Sequence, residues 1–433
     1  MQSGRISRLV CATLGAAILA GAGAVLFHYV SDNFGEMLFG WANTRKIASR
    51  LPLVVIVPTA GLLLIGWFLQ HFPQSRIGGV REVLDALEHH EGRVPFARMF
   101  HVVISSLVLA VGGSVGPEGP MVQLGALIGS QCGQFFHLTR SQLETLVRAG
   151  AAAGVSAAFH SPAGGALLML EIFGARFNRD LPAITIASAL GYLVRTTILG
   201  DAYPFHPLAT LTPLPLSSLL IVVPLLGLLA APLGHFFIWF FEKCQGIFPA
   251  HWPLWLRLAA GGATIGLIGV WFPQVLSAGY PTIIQTLNGG FGLKLLVVLL
   301  LLKMVATAVS FGSGAVGGLF APTLVIGALF GGAFGYGIHA LAPSAIPQTA
   351  LFVLLGMIVM FGSIVKAYWS GLLMIADLSG CYHQLLLPGV IAGGISYLIS
   401  WEMRDRSIFG LTLDSLGRQA PPADRAATAH AGG

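Results

Sequence analysis

Long stretches without a charged residue are the feature that most limits what this chain can fold into. A membrane-spanning helix needs about 20 largely apolar residues. Only 9% of the 433 residues are charged and 55% are hydrophobic, whereas roughly 25% of an ordinary soluble domain is charged. This pattern excludes a soluble globular protein and predicts an all-α polytopic membrane protein with about ten or more helices of unequal length. The stretches free of Asp, Glu, Lys and Arg are 9–31, 51–75, 119–139, 149–170, 202–241, 258–293, 304–365 and 378–401.

The basic residues indicate how the chain is oriented. The formal net charge is +6, but the arginines and lysines form no basic stripe, so nucleic acid is not an expected partner. Arg5 and Arg8 precede the first apolar stretch, and Arg404 and Arg406 follow the last. Cytoplasmic ends of membrane segments carry an excess of Lys and Arg. We therefore expect a multi-pass protein of the cell (inner) membrane with both termini in the cytoplasm.

The sequence gives no sign of a metal site, a disulfide framework or a bound cofactor. The four cysteines lie far apart with no CxxC pair, which argues against a zinc site. Only His89 and His90 are clustered among 13 histidines, and adjacent residues do not share a helix face.

The chain is expected to form one membrane domain, residues 1–416, followed by a disordered cytoplasmic tail, residues 417–433. Within this domain an internal repeat is visible, with halves at about 1–210 and 211–409. At a constant offset of 202 residues, seven positions are identical in both halves: Gly112/Gly314, Gly116/Gly318, Pro120/Pro322, Gly125/Gly327, Ala126/Ala328, Leu127/Leu329 and Gly129/Gly331.

Each half contains a helix break rich in glycine and proline, at 112–120 and at 312–322. A helix is expected to begin after each break, because proline is tolerated in the first turn. Unpaired N–H groups and the helix dipole make such N-termini favourable for anions. Duplicated transporter folds place broken helices at the repeat interface. The sequence therefore predicts an anion pocket formed by two helix N-termini.

Glu118 is the main candidate for a gate at this pocket. An ionisable residue within a membrane segment costs roughly 2.5–3.5 kcal/mol, so by default it marks function. A carboxylate at a helix N-terminus can occupy the anion site and leave it when protonated or displaced. The alternative is that Glu118 only caps its helix.

Three motifs resemble those of the CLC family of chloride channels and chloride/proton antiporters. Gly116-Pro117-Glu118-Gly119-Pro120 matches the family's GxEGP motif, and Gly318-Leu319-Phe320-Ala321-Pro322 matches GxFxP. The run Ser161-Pro162-Ala163-Gly164-Gly165, leading to Glu171, is similar to the helix after the gate. The resemblance covers roughly residues 9–416. It implies an inverted-repeat fold of about eighteen helices, a homodimer with one pore per subunit, membrane lipid as surroundings and chloride as the transported ion.

The resemblance also assigns the anion-binding positions, and two of them depart from the family pattern. The family's GSGIP motif aligns with Ile77-Gly78-Gly79-Val80-Arg81, so Gly78 stands in place of a serine. The tyrosine expected on the last helix aligns with Phe409. Without these hydroxyl groups, each worth about 1 kcal/mol as a hydrogen-bond donor, strict chloride selectivity is not assured. The implied anion-binding positions are Gly78, Gly79, Val80, Gly119, Leu319, Phe320 and Phe409.

Proton coupling depends on a second position in the family. Proton-coupled members have another glutamate directly after the one that aligns with Glu171, and this chain has Ile172 there. Isoleucine cannot carry a proton, which favours passive conduction. Glu171 is a candidate for a substitute proton path. The alternative is a structural carboxylate paired with Arg176 or Arg179.

These observations favour a CLC-type chloride channel or transporter, gated by Glu118, and no enzyme activity. The main alternative is a proton-coupled antiporter for chloride or another small anion such as fluoride, with protons as a second partner. A remote alternative is an intramembrane serine hydrolase with Ser156 as nucleophile and His160 as base, because a nucleophile needs a base within hydrogen-bond reach.

Overall fold

The computed structural model describes residues 2–39, 51–201, 203–208, 211–343, 348–403 and 408. These residues form sixteen α-helices, joined by short turns, and no named strand. The first-half helices are α1 (Gln2–Phe39), α2 (Leu51–His71), α3 (Val80–Glu88), α4 (Met99–Ala110), α5 (Glu118–Phe135), α6 (Arg140–Phe159), α7 (Pro162–Glu171) and α8 (Phe177–Leu199). The second-half helices are α9 (Val223–Cys244), α10 (Leu254–Trp271), α11 (Tyr280–Leu287), α12 (Leu293–Ser313), α13 (Phe320–Leu341), α14 (Ala350–Val365), α15 (Tyr368–Ser379) and α16 (Tyr382–Glu402).

The fold confirms the prediction of an all-α membrane protein with helices of unequal length. Within the described ranges, eight helices are long and apolar enough to cross a membrane. Others, such as α3 and α11, have only nine and eight residues. Because a span needs about 20 helical residues, such short helices cannot cross a membrane on their own. The resemblance implied about eighteen helices, and the described part of the chain contains sixteen.

The helices begin where the sequence predicts. Glu118 opens α5 after the first break and Phe320 opens α13 after the second. Pro120 and Pro322 each lie in the first turn of these helices, where the missing N–H breaks no helical hydrogen bond. The predicted breaks at 112–120 and 312–322 are therefore the points at which new helices start.

The second half repeats the local structure of the first in detail. A short 3-10 turn starts at Pro73 in one half and at Pro273 in the other, each in the sequence Phe-Pro-Gln. The short helices α3 and α11 then follow Gly79 and Gly279, which have φ of 71° and 87°. Backbone in this left-handed region favours glycine. The matching turns indicate that both halves descend from one folding unit.

Candidate anion pathway

The two glycine-rich breaks pair with each other at the centre of the molecule. Gly116 N–H donates to Gly318 O, and Gly318 N–H donates to Gly116 O, both at 2.7 Å. Ser114 from the first break contacts α12, since its N–H donates to Ser310 Oγ at 3.0 Å. This antiparallel bridge joins the two repeats and brings the N-termini of α5 and α13 together.

Glu118 places its carboxylate at the start of the opposite repeat's helix. The residue is fully buried. Its Oε2 accepts a hydrogen bond from Ala321 N–H, in the first turn of α13, at 3.3 Å. Its Oε1 accepts from the Tyr280 hydroxyl at the start of α11. The carboxylate therefore occupies the type of position that an anion takes at a helix N-terminus.

A cavity of about 150 Å³ reaches Gly119, the residue that follows Glu118 in the chain. It is lined by backbone and side chains from both repeats, so the structure brings most of the predicted anion-binding positions together. Phe409 lies outside the described residues. The role of these positions as anion ligands stays a prediction. The predicted positions that line the cavity are Gly78, Gly79, Val80, Gly119, Leu319 and Phe320.

The amide of Gly79 is already bonded within the protein. The Gly79 N–H donates to Gln123 Oε1 at 2.7 Å, and Gln123 Nε2 donates to Arg98 O at 3.2 Å. Gln123 on α5 thereby caps the N-terminus of α3. An anion at this helix would accept from amides other than that of Gly79.

The largely apolar lining of the cavity carries several basic and polar side chains. Arg76, Arg81 and Arg257 line it, together with His101 and Gln245. Within the part of the chain that the structure describes, Arg257 Nε and Gln245 Nε2 are buried without a hydrogen-bond partner. Positive charges along a cleft with apolar walls raise the local concentration of anions.

Tyr280 and Lys303 are two site residues that the sequence analysis missed. Tyr280 bonds Glu118, and Lys303 is fully buried on α12 with its Nζ donating to Val275 O at 3.0 Å and to Ser277 O at 2.8 Å. A lysine between two long uncharged stretches was a signal for Lys303. No local pattern pointed to Tyr280.

Glu171 is the last residue of α7, and its carboxylate caps the N-terminus of α15. Its carboxylate accepts from Trp369 N–H at 2.8 Å and from Ser370 N–H at 2.7 Å, both in the first turn of α15. The suggested ion pair with Arg176 or Arg179 is wrong, because Arg179 pairs with Asp180 and Glu144 and no ion pair joins Glu171 to Arg176 among the described residues. Backbone amides, which carry the positive end of the helix dipole, replace the expected arginine.

Comparison with known proteins agrees with the family resemblance of the sequence motifs. The sequence profile of the voltage gated chloride channel family matches residues 61–401. The chain belongs to this family, the CLC family. The voltage-gated ClC-type chloride channel ClcB of Escherichia coli (strain K12 / DH10B) is 32% identical over 416 residues, covering 93% of this chain and 97% of the relative. The protein of the same description from Shigella flexneri is 32% identical over 387 residues, covering 88% and 90%.

Solved CLC structures share the fold. A slow cyanobacterial Cl⁻/H⁺ antiporter superposes with a TM-score of 0.85 at 22% identity, covering 94% of this chain and 97% of that chain. A CLC-type fluoride/proton antiporter superposes with a TM-score of 0.78 at 23% identity, covering 94% and 98%. At identities of 22% and 23%, the structural similarity shows that the three proteins have a common fold.

The residues of the hydrolase alternative are not arranged as a catalytic pair. Ser156 is fully buried, and its Oγ has no hydrogen-bond partner among the described residues. His160 Nε2 instead lies 2.9 Å from Asp201 Oδ1. A serine nucleophile requires a hydrogen bond to its base. Together with membership of the CLC family, this geometry gives no support to a hydrolase.

Proposed function

We propose that this protein moves chloride across the cell (inner) membrane and that Glu118 is its gate. The observation that carries this proposal is the Glu118 carboxylate, which accepts from Ala321 N–H at the start of α13 and from the Tyr280 hydroxyl. An anion that takes these donors must first displace the carboxylate. Protonation of Glu118 removes its negative charge and has the same effect.

The charges around the cavity support an anion as the transported species. Arg76, Arg81 and Arg257 line the cavity together with Gly79 and Val80 at the start of α3. They attract anions and repel cations. The names of the relatives, ClC-type chloride channels, favour chloride among the small anions.

The protein is proposed to work as a homodimer with one pathway per subunit and both termini in the cytoplasm. The dimer follows from the family resemblance. The orientation follows from Arg5 and Arg8 before the first span and from the positive-inside rule. Passive conduction is the favoured mode, because Ile172 stands where proton-coupled relatives have a second glutamate.

The test is chloride efflux from liposomes that contain the purified protein, with the membrane potential clamped by a potassium ionophore. For the unaltered protein we expect faster efflux at lower external pH. Glu118→Ala is expected to give faster efflux at high pH and a weaker pH dependence than the unaltered protein, because the competing carboxylate is gone. Efflux from Glu118→Ala that stayed as pH-dependent as before would contradict the gate.

Glu88→Ala is the matched control, since this carboxylate is 67% exposed at the end of α3. It should leave both the rate and the pH profile unchanged. External pH recorded in the same experiment separates conduction from exchange. Proton movement against chloride, scaling with it, would replace passive conduction by the proton-coupled alternative.

A further inference from the structure

The imidazole of His101 fills the space that a side chain at position 78 would need. A Cβ built on Gly78 would lie 2.2 Å from both Cγ and Cδ2 of His101 and 2.5 Å from its Nε2. These distances are far below van der Waals contact. The resemblance places a serine hydroxyl at this position in relatives, so the His101 ring lies where that side chain is missing.

His101 Nε2 is a buried polar atom on a residue that lines the cavity. His101 is 3% exposed, lines the cavity together with Gly78 and Phe320, and its Nε2 has no hydrogen-bond partner within the described residues. A buried polar group without a partner is costly and calls for an explanation. A ligand in the cavity would supply the partner.

The other ring nitrogen determines what Nε2 can do. His101 Nδ1 lies 3.0 Å from the Ser75 carbonyl oxygen. A carbonyl only accepts, so Nδ1 carries a hydrogen. In a neutral imidazole Nε2 then has no hydrogen and presents a lone pair, which repels an anion. Only the doubly protonated ring can donate to an anion from Nε2.

The surrounding charges link protonation of His101 to the presence of an anion. An anion held against Nε2 stabilises the imidazolium by direct charge attraction, so anion binding favours the doubly protonated ring. The Glu82 carboxylate is engaged by Arg98 at 3.0 Å. The histidines of α1 and α2, His28 and His71, do not line the cavity. The charged residues that line the cavity with His101 are Arg76, Arg81 and Arg257, while Glu118, Asp85 and Glu88 do not line it. The charged residues in the sequence of α1 are Arg5, Arg8, Asp32 and Glu36.

The second repeat has a basic residue at the equivalent position. Lys303 follows His101 by 202 residues, the offset that relates α4 and α5 to α12 and α13. Lys303 Nζ donates to Val275 O at 3.0 Å, just as His101 Nδ1 donates to Ser75 O in the matching 3-10 turn. Both halves therefore bring a nitrogen base from the same helix position to the same turn.

We propose that His101 binds the transported anion through Nε2 as an imidazolium, in place of the hydroxyl that Gly78 lacks, so that one proton enters the site with each anion. This inference rests on the proposed chloride function and names a ligand for it. It gives the site a pH dependence that is separate from the gate. Chloride affinity rises as pH falls, because the proton is taken up on binding.

The test is chloride binding by isothermal titration calorimetry on the purified Glu118→Gln protein, in which the gate cannot titrate. Titrations in buffers of different protonation enthalpy give the number of protons taken up. Above the range where free His101 is protonated, we expect about one proton per chloride and an affinity that falls about tenfold per pH unit. The pH series runs from about 5 to 8, the range in which histidine changes charge.

Two further variants keep the test decisive. Glu118→Gln/His101→Gln retains a neutral N–H donor, and should bind chloride without proton uptake and without pH dependence. Glu118→Gln/Gly78→Ser/His101→Ala exchanges the imidazole for a hydroxyl and should behave the same way, which covers a failure of the first variant to fold.

Proton uptake that persists unchanged without His101 would overturn the proposal, as would chloride binding to Glu118→Gln with no proton uptake at any pH. These results leave chloride as the ligand. Absence of chloride binding to every variant would instead overturn the proposed chloride function, and this inference with it.

Discussion

At the scale of single residues, the candidate site is built from side chains that are distant in sequence. Glu118 meets Tyr280, 162 residues away, and Ala321, 203 residues away. His101 covers the position that Gly78 leaves without a side chain. The family's two hydroxyl groups are absent at Gly78 and Phe409. Tyr280 and His101 nevertheless bring other polar groups to this region.

Tyr280→Phe tests whether the Tyr280 hydroxyl keeps the Glu118 carboxylate in the proposed anion site. The substitution removes the hydroxyl that donates to Glu118 Oε1, and a hydrogen bond to a charged group contributes about 1.5–3 kcal/mol. We expect the carboxylate to leave the site more readily, so that chloride efflux from liposomes at high pH, where Glu118 is charged, rises roughly tenfold.

Tyr382→Phe is the matched control for this change. Its hydroxyl also donates to a carboxylate, that of Asp377, but away from the cavity. It should leave efflux unchanged. Equal rates for Tyr280→Phe and the unaltered protein at high pH would show that the tyrosine does not hold the gate.

Local sequence signals predicted some of these residues and could not predict others. Glu118 is visible as a carboxylate within an apolar, glycine-rich break, and the helix starts at Glu118 and Phe320 follow from proline and glycine. The contacts of Tyr280 and His101 depend on how helices from different parts of the chain pack. The partner of Glu171 was wrongly expected to be an arginine, because its true donors belong to α15, 198 residues further on.

At the scale of helices, α7 and α15 cap each other. Glu171 at the end of α7 accepts from the first-turn amides of α15. In return Asp377 on α15 accepts from the hydroxyl of Ser161, which caps the N-terminus of α7. Each carboxylate also accepts from a serine hydroxyl at the start of the other helix, Ser370 for Glu171 and Ser161 for Asp377. Since carboxylates are stabilising at helix N-termini, these contacts fasten the two repeats together.

Glu171→Ala tests whether this residue is structural. Loss of a capping carboxylate typically costs about 0.5–2 kcal/mol. We expect a lower thermal unfolding temperature in detergent and no change in the ratio of proton to chloride movement in liposomes. Glu171→Gln keeps an acceptor oxygen and should recover part of the stability.

A proton flux that is present in the unaltered protein and lost in both Glu171 variants would instead assign the residue to a proton path. Asp377→Ala, the equivalent change in the other repeat, should destabilise the fold to a similar extent. Comparing Asp377→Ala with the Glu171 variants distinguishes a loss of stability from a loss of proton movement.

At the scale of the molecule, the oligomeric state is still a prediction. The resemblance implies a homodimer, whereas the structure describes a single chain. The described helices carry exposed apolar side chains that suit lipid or a second subunit, among them Leu398 at 66% and Trp401 at 70% on α16.

Light scattering coupled to size-exclusion chromatography in a mild detergent measures the protein mass directly. We expect twice the chain mass of 45.5 kDa after correction for detergent. A mass of one chain at all detergent concentrations would contradict the dimer. The reconstituted flux of such a monomer would then show whether one subunit is sufficient.

The bridge between Gly116 and Gly318 makes the site a late product of biosynthesis. At about 5–20 residues per second, a ribosome needs on the order of ten to forty seconds to add the residues that separate them. Glu118 lacks Tyr280 as a donor for most of this time and Ala321 for all of it, since both are encoded later. A nascent first half therefore waits in the membrane with an unpartnered carboxylate, and chains that stop before residue 318 are expected to be substrates for membrane proteases.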